Sequence, residues 1–413
     1  MAKKNKEQPN TVPDAKDDAT IVFAPIPPDA EPLSEDEPQD GKLISRQDFR
    51  KAAFSLFAAI VLFASCILLW LYRDRFGSDR LMILSTDKIA EAKAEYVFDS
   101  GAAQVFATSG NGLAAATSTG LQLMDAAGDI SVSHLFKMET PAIAAGDDFA
   151  VFYDIGTVNM AVAYFSGEVR ELTAAGNIIS VTVSDGGYVA VTTDCTGYRG
   201  LITVYDPRME PVYEWYSSSA WVISGVVSPD NRQLAALSYT ASGSEVRFFS
   251  LTNTEQQAAF SVSDTVLLDV HWMSQNQLCA YSTEQAIFFN NRGNWNDTYS
   301  FNGQYLVGCT FDGEGFAVFA LSPYRAGSTA TLVSLDAGGR VLGTAEILSE
   351  IVSLTASGTE ALVLCPDGVI LLSSSLSEKG QIAGLTGFKF ALLSGRSEAL
   401  LVASNYAGLY TIN

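Results

Sequence analysis

A short apolar pattern recurs along most of this chain and constrains its fold more than any other feature. In each copy a large apolar residue precedes a second apolar residue, which is usually small, and the copies follow one another about every 41 residues. A repeat of this length is typical of architectures in which each unit buries its surface against the next. The second positions are Ala114, Ala150, Ala190, Ala235, Cys279, Ala317, Val363 and Leu401.

Two further features keep the same period. Turn-forming residues precede most of the runs, as in Ser109-Gly-Asn-Gly and Ser228-Pro-Asp-Asn, and they accept the backbone angles of tight hairpins. A second strand rich in β-branched and aromatic residues follows each run, as in 200–206 and 330–336. Several strands per unit of 40–45 residues indicate a β-propeller blade. The sequence therefore predicts an all-β, eight-bladed β-propeller over 76–413, with seven blades as the alternative.

The last repeat stops at Asn413 without an outer strand, and the segment 89–98 before the first repeat belongs to none of the eight repeats. We predict that this segment supplies the missing strand and closes the ring. A helix over 87–95 is the competing interpretation, because Ala, Glu and Lys favour helices.

A different kind of segment, Ala52–Tyr72, precedes the repeats. It carries no charge and would reach about 30 Å as a helix, which is the thickness of the hydrocarbon core of a bilayer. Trp70 and Tyr72 lie where aromatic residues meet a membrane interface. A buried core helix is the alternative, but the length without charge favours a transmembrane helix at 52–72 within a juxtamembrane segment 46–75. Basic residues border it at Arg50, Lys51, Arg73 and Arg75.

Residues 1–45 are rich in proline and acidic residues and lack apolar periodicity, which predicts a disordered tail. No cleavage site made of small residues directly follows the apolar segment, so this segment is expected to be an uncleaved signal-anchor. Slightly more Lys and Arg precede the segment than follow it. The sequence thus predicts a single-pass protein of the cell membrane, with a cytoplasmic N-terminus and an extracytoplasmic propeller.

The charge balance restricts the partners. Residues 81–413 contain 14 Lys and Arg against 33 Asp and Glu, so this part repels phosphate backbones and we expect no nucleic-acid partner.

The four cysteines beyond the apolar segment form no C-x-x-C pair, which argues against zinc, whereas disulfides stay possible. We interpret three of them as buried free thiols in strands: Cys279, Cys309 and Cys365.

The phrase SPDNRQLAALS at 228–238 resembles a blade of the WD-repeat-like and quinoprotein-like propeller superfamily. With one anchor helix ahead of it, the chain is similar to uncharacterised single-pass membrane-anchored propeller proteins of Gram-positive bacteria, whose domain has no known function. The resemblance covers about residues 85–413. It implies the propeller fold and supplies no functional residues, and the third strands lack the usual Trp-Asp ending.

The sequence offers little catalytic chemistry. His134 and His271 lie in different repeats, and a phosphate-binding loop and a zinc-protease motif are missing from the sequence. We therefore expect no catalytic residues, cofactor or metal, and predict a non-catalytic binding or scaffold module at the cell envelope. The alternative is a quinoprotein-like dehydrogenase, although the tryptophans do not recur in the repeat register that such enzymes use.

A binding face is predicted from the loops. The turns between second and third strands and the connections between blades emerge on one side of a propeller, and two such turns carry Tyr-Arg followed by a small residue. Tyr, Trp and Arg dominate binding hot spots, so an envelope protein, peptide or glycan is expected there. The alternative is that these side chains cover loop backbone or pair with nearby acids. The residues are Tyr198, Arg199, Tyr216, Trp221, Tyr239, Tyr324 and Arg325.

Overall fold

The computed structural model describes residues 92–412 except 99, 100, 102, 111, 254, 326 and 327. The predicted tail at 1–45, the juxtamembrane segment 46–75 and its helix at 52–72 lie outside the described residues. Within the described part, no helix is long and apolar enough to span a bilayer.

The described residues form 32 strands in eight four-stranded antiparallel sheets, which confirms the eight-bladed propeller over the seven-bladed alternative. Blades 1 and 2 contain β2 (Val105–Ser109), β3 (Gly112–Ala116), β4 (Gly120–Met124), β5 (Ile130–Leu135), β6 (Pro141–Ala145), β7 (Phe149–Asp154), β8 (Asn159–Tyr164) and β9 (Val169–Thr173). Blades 3 and 4 contain β10 (Ile178–Val183), β11 (Val189–Thr193), β12 (Gly200–Tyr205), β13 (Pro211–Ser217), β14 (Trp221–Val227), β15 (Gln233–Thr240), β16 (Gly243–Ser250) and β17 (Gln256–Ser263).

The second half of the ring repeats this arrangement. Blades 5 and 6 contain β18 (Asp269–Trp272), β19 (Gln277–Tyr281), β20 (Gln285–Asn290), β21 (Trp295–Ser300), β22 (Tyr305–Gly313), β23 (Phe316–Ser322), β24 (Ala330–Asp336) and β25 (Val341–Ile347). Blades 7 and 8 contain β26 (Ser353–Ser357), β27 (Glu360–Cys365), β28 (Gly368–Ser373), β29 (Glu378–Ala383), β30 (Phe390–Leu393), β31 (Glu398–Val402), β32 (Tyr406–Thr411) and β1 (Ala94–Val97).

The recurrent apolar runs become the second strands of the blades. All eight marker positions, from Ala114 to Leu401, are fully buried. The apolar clusters join residues of two adjacent blades, as in the cluster that packs Val246 and Phe248 against Leu278 and Phe289. A blade therefore buries both of its faces, which explains strands that are continuously apolar rather than alternating.

The first strand of each blade lies next to the axis, and successive first strands contact one another around the ring, including β30 with β2. Space between blades is tight there: a Cβ added at Gly225 in β14 would lie 2.8 Å from Ile202 Cδ1 of the neighbouring blade. Among neighbouring first strands, β18 and β22 contact each other least.

The ring closes through β1, the outer strand of blade 8. It pairs with β32 from Ala94 opposite Leu409 to Val97 opposite Tyr406, and lies within the segment 89–98 that the sequence singles out. Tyr96 is fully buried and donates a hydrogen bond of 3.0 Å to the Ala126 carbonyl of blade 1. β1 thus belongs to blade 8 and also packs against blade 1.

Two faces follow from the strand order. The upper face carries the turns between second and third strands and the connections between blades. The lower face carries the turns between first and second strands and between third and fourth strands. Because β1 pairs antiparallel with β32, the chain enters β1 at the lower face.

Tyr96→Ala is expected to lower the free energy of unfolding by about 3–5 kcal/mol, because it removes a buried ring from the contact between blades 8 and 1. Tyr96→Phe keeps the ring and loses only the hydrogen bond, so about 1 kcal/mol is expected. Urea unfolding of the full-length chain measures both. Equal stability of the alanine variant and the wild type would show that β1 does not hold the ring closed.

A second fastening joins blades 7 and 8 through Glu360, which is 3% exposed. Its carboxylate pairs with Lys379 and accepts a hydrogen bond of 2.8 Å from the Ser397 backbone N–H, in the first turn of blade 8. Burial alone raises the pKa of Glu360, but these partners outweigh it and hold the pKa below its ordinary value.

The contribution of Glu360 to stability should therefore depend on pH. The depressed pKa stabilises the fold above the ordinary value of 4.5, and this gain is lost as the pH falls through the folded-state pKa. Glu360→Gln should lower the free energy of unfolding by about 1–3 kcal/mol at pH 7, and by less at pH 3. Urea unfolding at the two pH values tests this, and a difference that does not shrink at pH 3 would contradict it.

Candidate functional site

The structure places all seven predicted binding residues at or near the upper face. They are distributed over three blades: Tyr198 and Arg199 in the β11–β12 turn, Tyr216 in β13, Trp221 at the start of β14, Tyr239 in β15, and Tyr324 and Arg325 in the β23–β24 turn. Five of them come together at the junction of blades 3 and 4, and two do not.

Four of these side chains form what we call the aromatic–arginine cluster: Tyr198, Arg199, Tyr216 and Trp221. The Arg199 guanidinium lies over the Trp221 ring, with Cζ 4.4 Å from the ring centroid. The rings of Tyr198 and Tyr216 lie 5.1 Å apart between centroids. All four residues are exposed, and Trp221 retains 56% of its accessible surface. The cluster is therefore a solvent-facing set of side chains in mutual contact.

Backbone hydrogen bonds hold the cluster in place. The Arg199 N–H donates to the Ser217 carbonyl at 2.6 Å, and the Val222 N–H donates to the Arg199 carbonyl at 3.3 Å. The buried Ser217 hydroxyl donates to the Ala220 carbonyl at 2.6 Å and fixes the turn between β13 and β14. The β11–β12 turn is thus fastened to the connection between blades 3 and 4, so the backbone that carries the cluster is fixed before any ligand arrives.

The remaining predicted residues have other surroundings. Tyr239 pairs opposite Trp221, but it is half-buried and its hydroxyl donates to the Leu267 carbonyl at 2.8 Å. Burial, with Asp269 adding to it, raises the pKa of Tyr239. Tyr239 therefore fixes the connection that follows blade 4. Tyr324 and Arg325 are exposed on blade 6, and they make no ring or cation–π contact with the cluster among the described residues.

One tyrosine pairs with an acid, as the alternative interpretation of the loops expects. The Tyr216 hydroxyl donates to Glu214 Oε2 at 3.0 Å, and this hydrogen bond raises the pKa of Tyr216. Arg199 differs from Tyr216 in this respect, because its guanidinium forms no ion pair within the part of the chain that the structure describes. Its in-plane N–H donors are consequently available to a ligand.

The structure also shows a cavity that sequence reasoning did not find. It lies around the axis, opens toward the lower face and has a volume of about 670 Å³. Its wall includes His271 and Phe311, whose rings stack at 4.0 Å between centroids across the junction of β18 and β22. The stacked rings lie where neighbouring first strands contact each other least.

Acidic side chains dominate the charge of this cavity. His271 Nε2 lies 3.3 Å from Asp269 Oδ2, and Asp312 and Glu314 line the same wall. Burial raises the pKa of Asp269, but the hydrogen bond and charge of His271, together with hydrogen bonds from the Val270 N–H and Ser224, outweigh it, and the pKa is lowered overall. Burial raises the pKa of Cys309 and of Tyr281 nearby. Such an arrangement can orient a histidine and hold positive charge.

A sequence signal for this cavity does exist. Asp269 and His271 alternate on a first strand, so both point to one side of the strand. That Asp269 and His271 share a cavity wall with Phe311 and Asp312 could not be predicted from the sequence, because Phe311 and Asp312 belong to another blade. Across the described residues, no group of three or more His, Cys, Asp or Glu side chains is arranged to hold a metal ion.

The three cysteines predicted to be buried and the described tryptophans all lie in strands of the blades. Cys279 and Cys365 are buried free thiols, as predicted, whereas Cys309 in β22 is only half-buried and packs against the apolar cluster between blades 5 and 6. Trp215 and Trp295 lie in outer strands, and Trp221 and Trp272 lie in first strands. The described tryptophans therefore do not repeat at one blade position, as a quinone-docking motif would.

A family model described as "Family of unknown function (DUF5711)" matches residues 85–372. This chain belongs to that family. The match begins just before the closing strand of the DUF5711 propeller and ends in blade 7, so it covers most of the ring. No curated protein sequence matches the chain.

Solved structures share the fold of this DUF5711 protein. The C-terminal WD40 domain of Sif2 is 10% identical, with a TM-score of 0.56, covering 80% of this chain and 100% of that one. A crystal structure of the eukaryotic initiation factor is 11% identical, with a TM-score of 0.52, covering 78% and 84%. At these identities the likeness shows a WD40-like propeller fold and nothing about activity.

Proposed function

We propose that this protein is a single-pass, membrane-anchored propeller that binds a partner at the cell envelope, without catalysis, through its upper face. The anchor rests on the charge-free segment Ala52–Tyr72 with basic residues at both ends. The binding face rests on the structure of the propeller itself.

The observation that carries the proposal is the exposed aromatic–arginine cluster. Trp, Tyr and Arg are the residue types that supply most of the binding energy at interfaces. A tryptophan that keeps 56% of its surface in contact with water has an apolar area that a partner can bury. Because hydrogen bonds fix the turns beneath the cluster, little ordering is needed on binding.

Exposed apolar side chains continue from the cluster across the upper face. One of them, Leu135, ends the fourth strand of blade 1, and the others lie near the upper ends of first strands or in the connections that lead to them: Ile179, Val266, Leu268, Tyr305, Val307, Val352 and Phe390. Exposed apolar residues spread over several blades of this face favour a macromolecular partner over a small ligand.

The proposal predicts that Trp221→Ala lowers capture of cell-envelope material by the full-length chain about tenfold or more, as expected for a hot-spot residue. The matched control is Trp295→Ala, because Trp295 is 60% exposed but lies at the lower face. Capture is quantified after chemical cross-linking, and thermal melts verify that both variants fold. Equal capture by wild type and Trp221→Ala would refute the upper face as the binding site.

The predicted orientation is tested separately with thiol labelling of intact cells. Leu135 is 87% exposed on the propeller, so Leu135→Cys should react with a membrane-impermeant maleimide without permeabilisation. Ser34→Cys in the N-terminal tail should react only after the cells are permeabilised, provided that both variants also carry Cys195→Ser, because Cys195 is a half-exposed free thiol of the propeller. The reverse pattern would place the propeller in the cytoplasm.

A further inference from the structure

We propose that the aromatic–arginine cluster recognises an acidic, apolar polypeptide segment, with a carboxylate of the partner held by Arg199. This inference rests on the proposed function of the upper face and specifies the chemistry of the partner.

Arg199 differs from three other arginines of the propeller in the group that lies next to its guanidinium. Three other arginines of the propeller pair with acids close in sequence: Arg170 with Glu168, Arg247 with Glu245 and Arg340 with Asp336. Arg199 has the face of an indole as its neighbour instead, at 4.4 Å. An arginine stacked on a tryptophan presents its N–H donors edge-on, in the geometry that binds a carboxylate through two hydrogen bonds.

A second arginine stands close by. Arg247 lies 5.9 Å from the Trp215 ring centroid and donates to the Ser219 hydroxyl at 3.4 Å. The connection between blades 3 and 4 is therefore flanked by two arginine–tryptophan pairs. Because Arg247 is paired with Glu245, Arg199 supplies the positive charge that has no acidic partner among the described residues at this connection, on a chain whose formal net charge is −21. The negative charge of the chain as a whole attracts cations. A preference for an anion at the cluster would therefore be a specific property of this site.

The apolar side chains around the cluster favour an acidic polypeptide over an anionic glycan. Tyr239 fixes the Leu267 carbonyl, and the flanking residues Val266 and Leu268 are 59% and 42% exposed. Trp221 lies opposite Tyr239 in the sheet, so an apolar rim runs from the cluster to this connection. Aliphatic side chains bury apolar side chains of a peptide but offer nothing to the hydroxyl groups of a glycan chain. The surroundings therefore fit a polypeptide.

The test uses three fluorescein-labelled peptides with the same Phe-Leu centre, flanked on both sides by glutamates, glutamines or lysines. Fluorescence polarisation with the full-length chain should show the glutamate peptide binding about tenfold tighter than the other two, as a charge-assisted contact provides. Arg199→Gln should remove this preference and leave the affinity for the glutamine peptide within about twofold.

The matched control is Arg325→Gln, which removes the same charge from the same face but two blades away. It should leave all three affinities unchanged. Equal or tighter binding of the lysine peptide would overturn the inference, as would equal effects of the two variants. Binding of poly(glycerol phosphate) that depends on Arg199 and exceeds that of the glutamate peptide would also overturn it, in favour of an anionic glycan.

The two proposals fail differently. If envelope capture depends on Trp221 while the glutamate peptide shows no preference, the upper face is the binding site and the acidic peptide is the wrong partner. If capture does not depend on Trp221, the proposed function itself is wrong.

Discussion

The fold depends on one constraint: a blade can bury its two faces only against neighbouring blades. The recurrent strands are apolar on both sides, and their marker positions are fully buried. A linear array of such sheets would leave an apolar face open at each end. Closing the array through the pairing of β1 with β32 removes both ends at once, and every blade then has two neighbours.

The same constraint explains what could be predicted from the sequence. The spacing of the apolar runs reports blades directly, because each blade repeats the same burial pattern. Ala114 and Cys279 occupy equivalent buried places although their chemistry differs. The turns with Tyr198 and Tyr324 could be assigned to the upper face because strand order fixes the side on which each turn emerges. The meeting of Arg199 with Trp221 follows from two connections that are adjacent in both sequence and space.

Contacts between distant parts of the chain could not be predicted. The stacking of His271 on Phe311 depends on how far apart β18 and β22 lie at the axis, and no local pattern encodes that distance. Glu360 reads as a charged residue beside a turn, and only the structure shows it buried with Lys379 and Ser397. Residue type and loop position predict Tyr239 at the binding face, but they do not reveal that its hydroxyl also fixes a backbone carbonyl. Residue type alone does not separate these roles.

Closure through β1 also has a consequence for biosynthesis. Lys93, beside β1, contacts Glu398 at 2.7 Å although 305 residues separate them. At about 5–20 residues per second, a ribosome needs roughly 15–60 s to make the intervening chain. During that time the first strand of the ring has no partner, and blade 1 lacks the neighbour that covers Leu113 and Met124. The growing chain must therefore carry an unpaired strand through nearly its whole synthesis, and its exposure to chaperones and proteases ends only when the last strand appears.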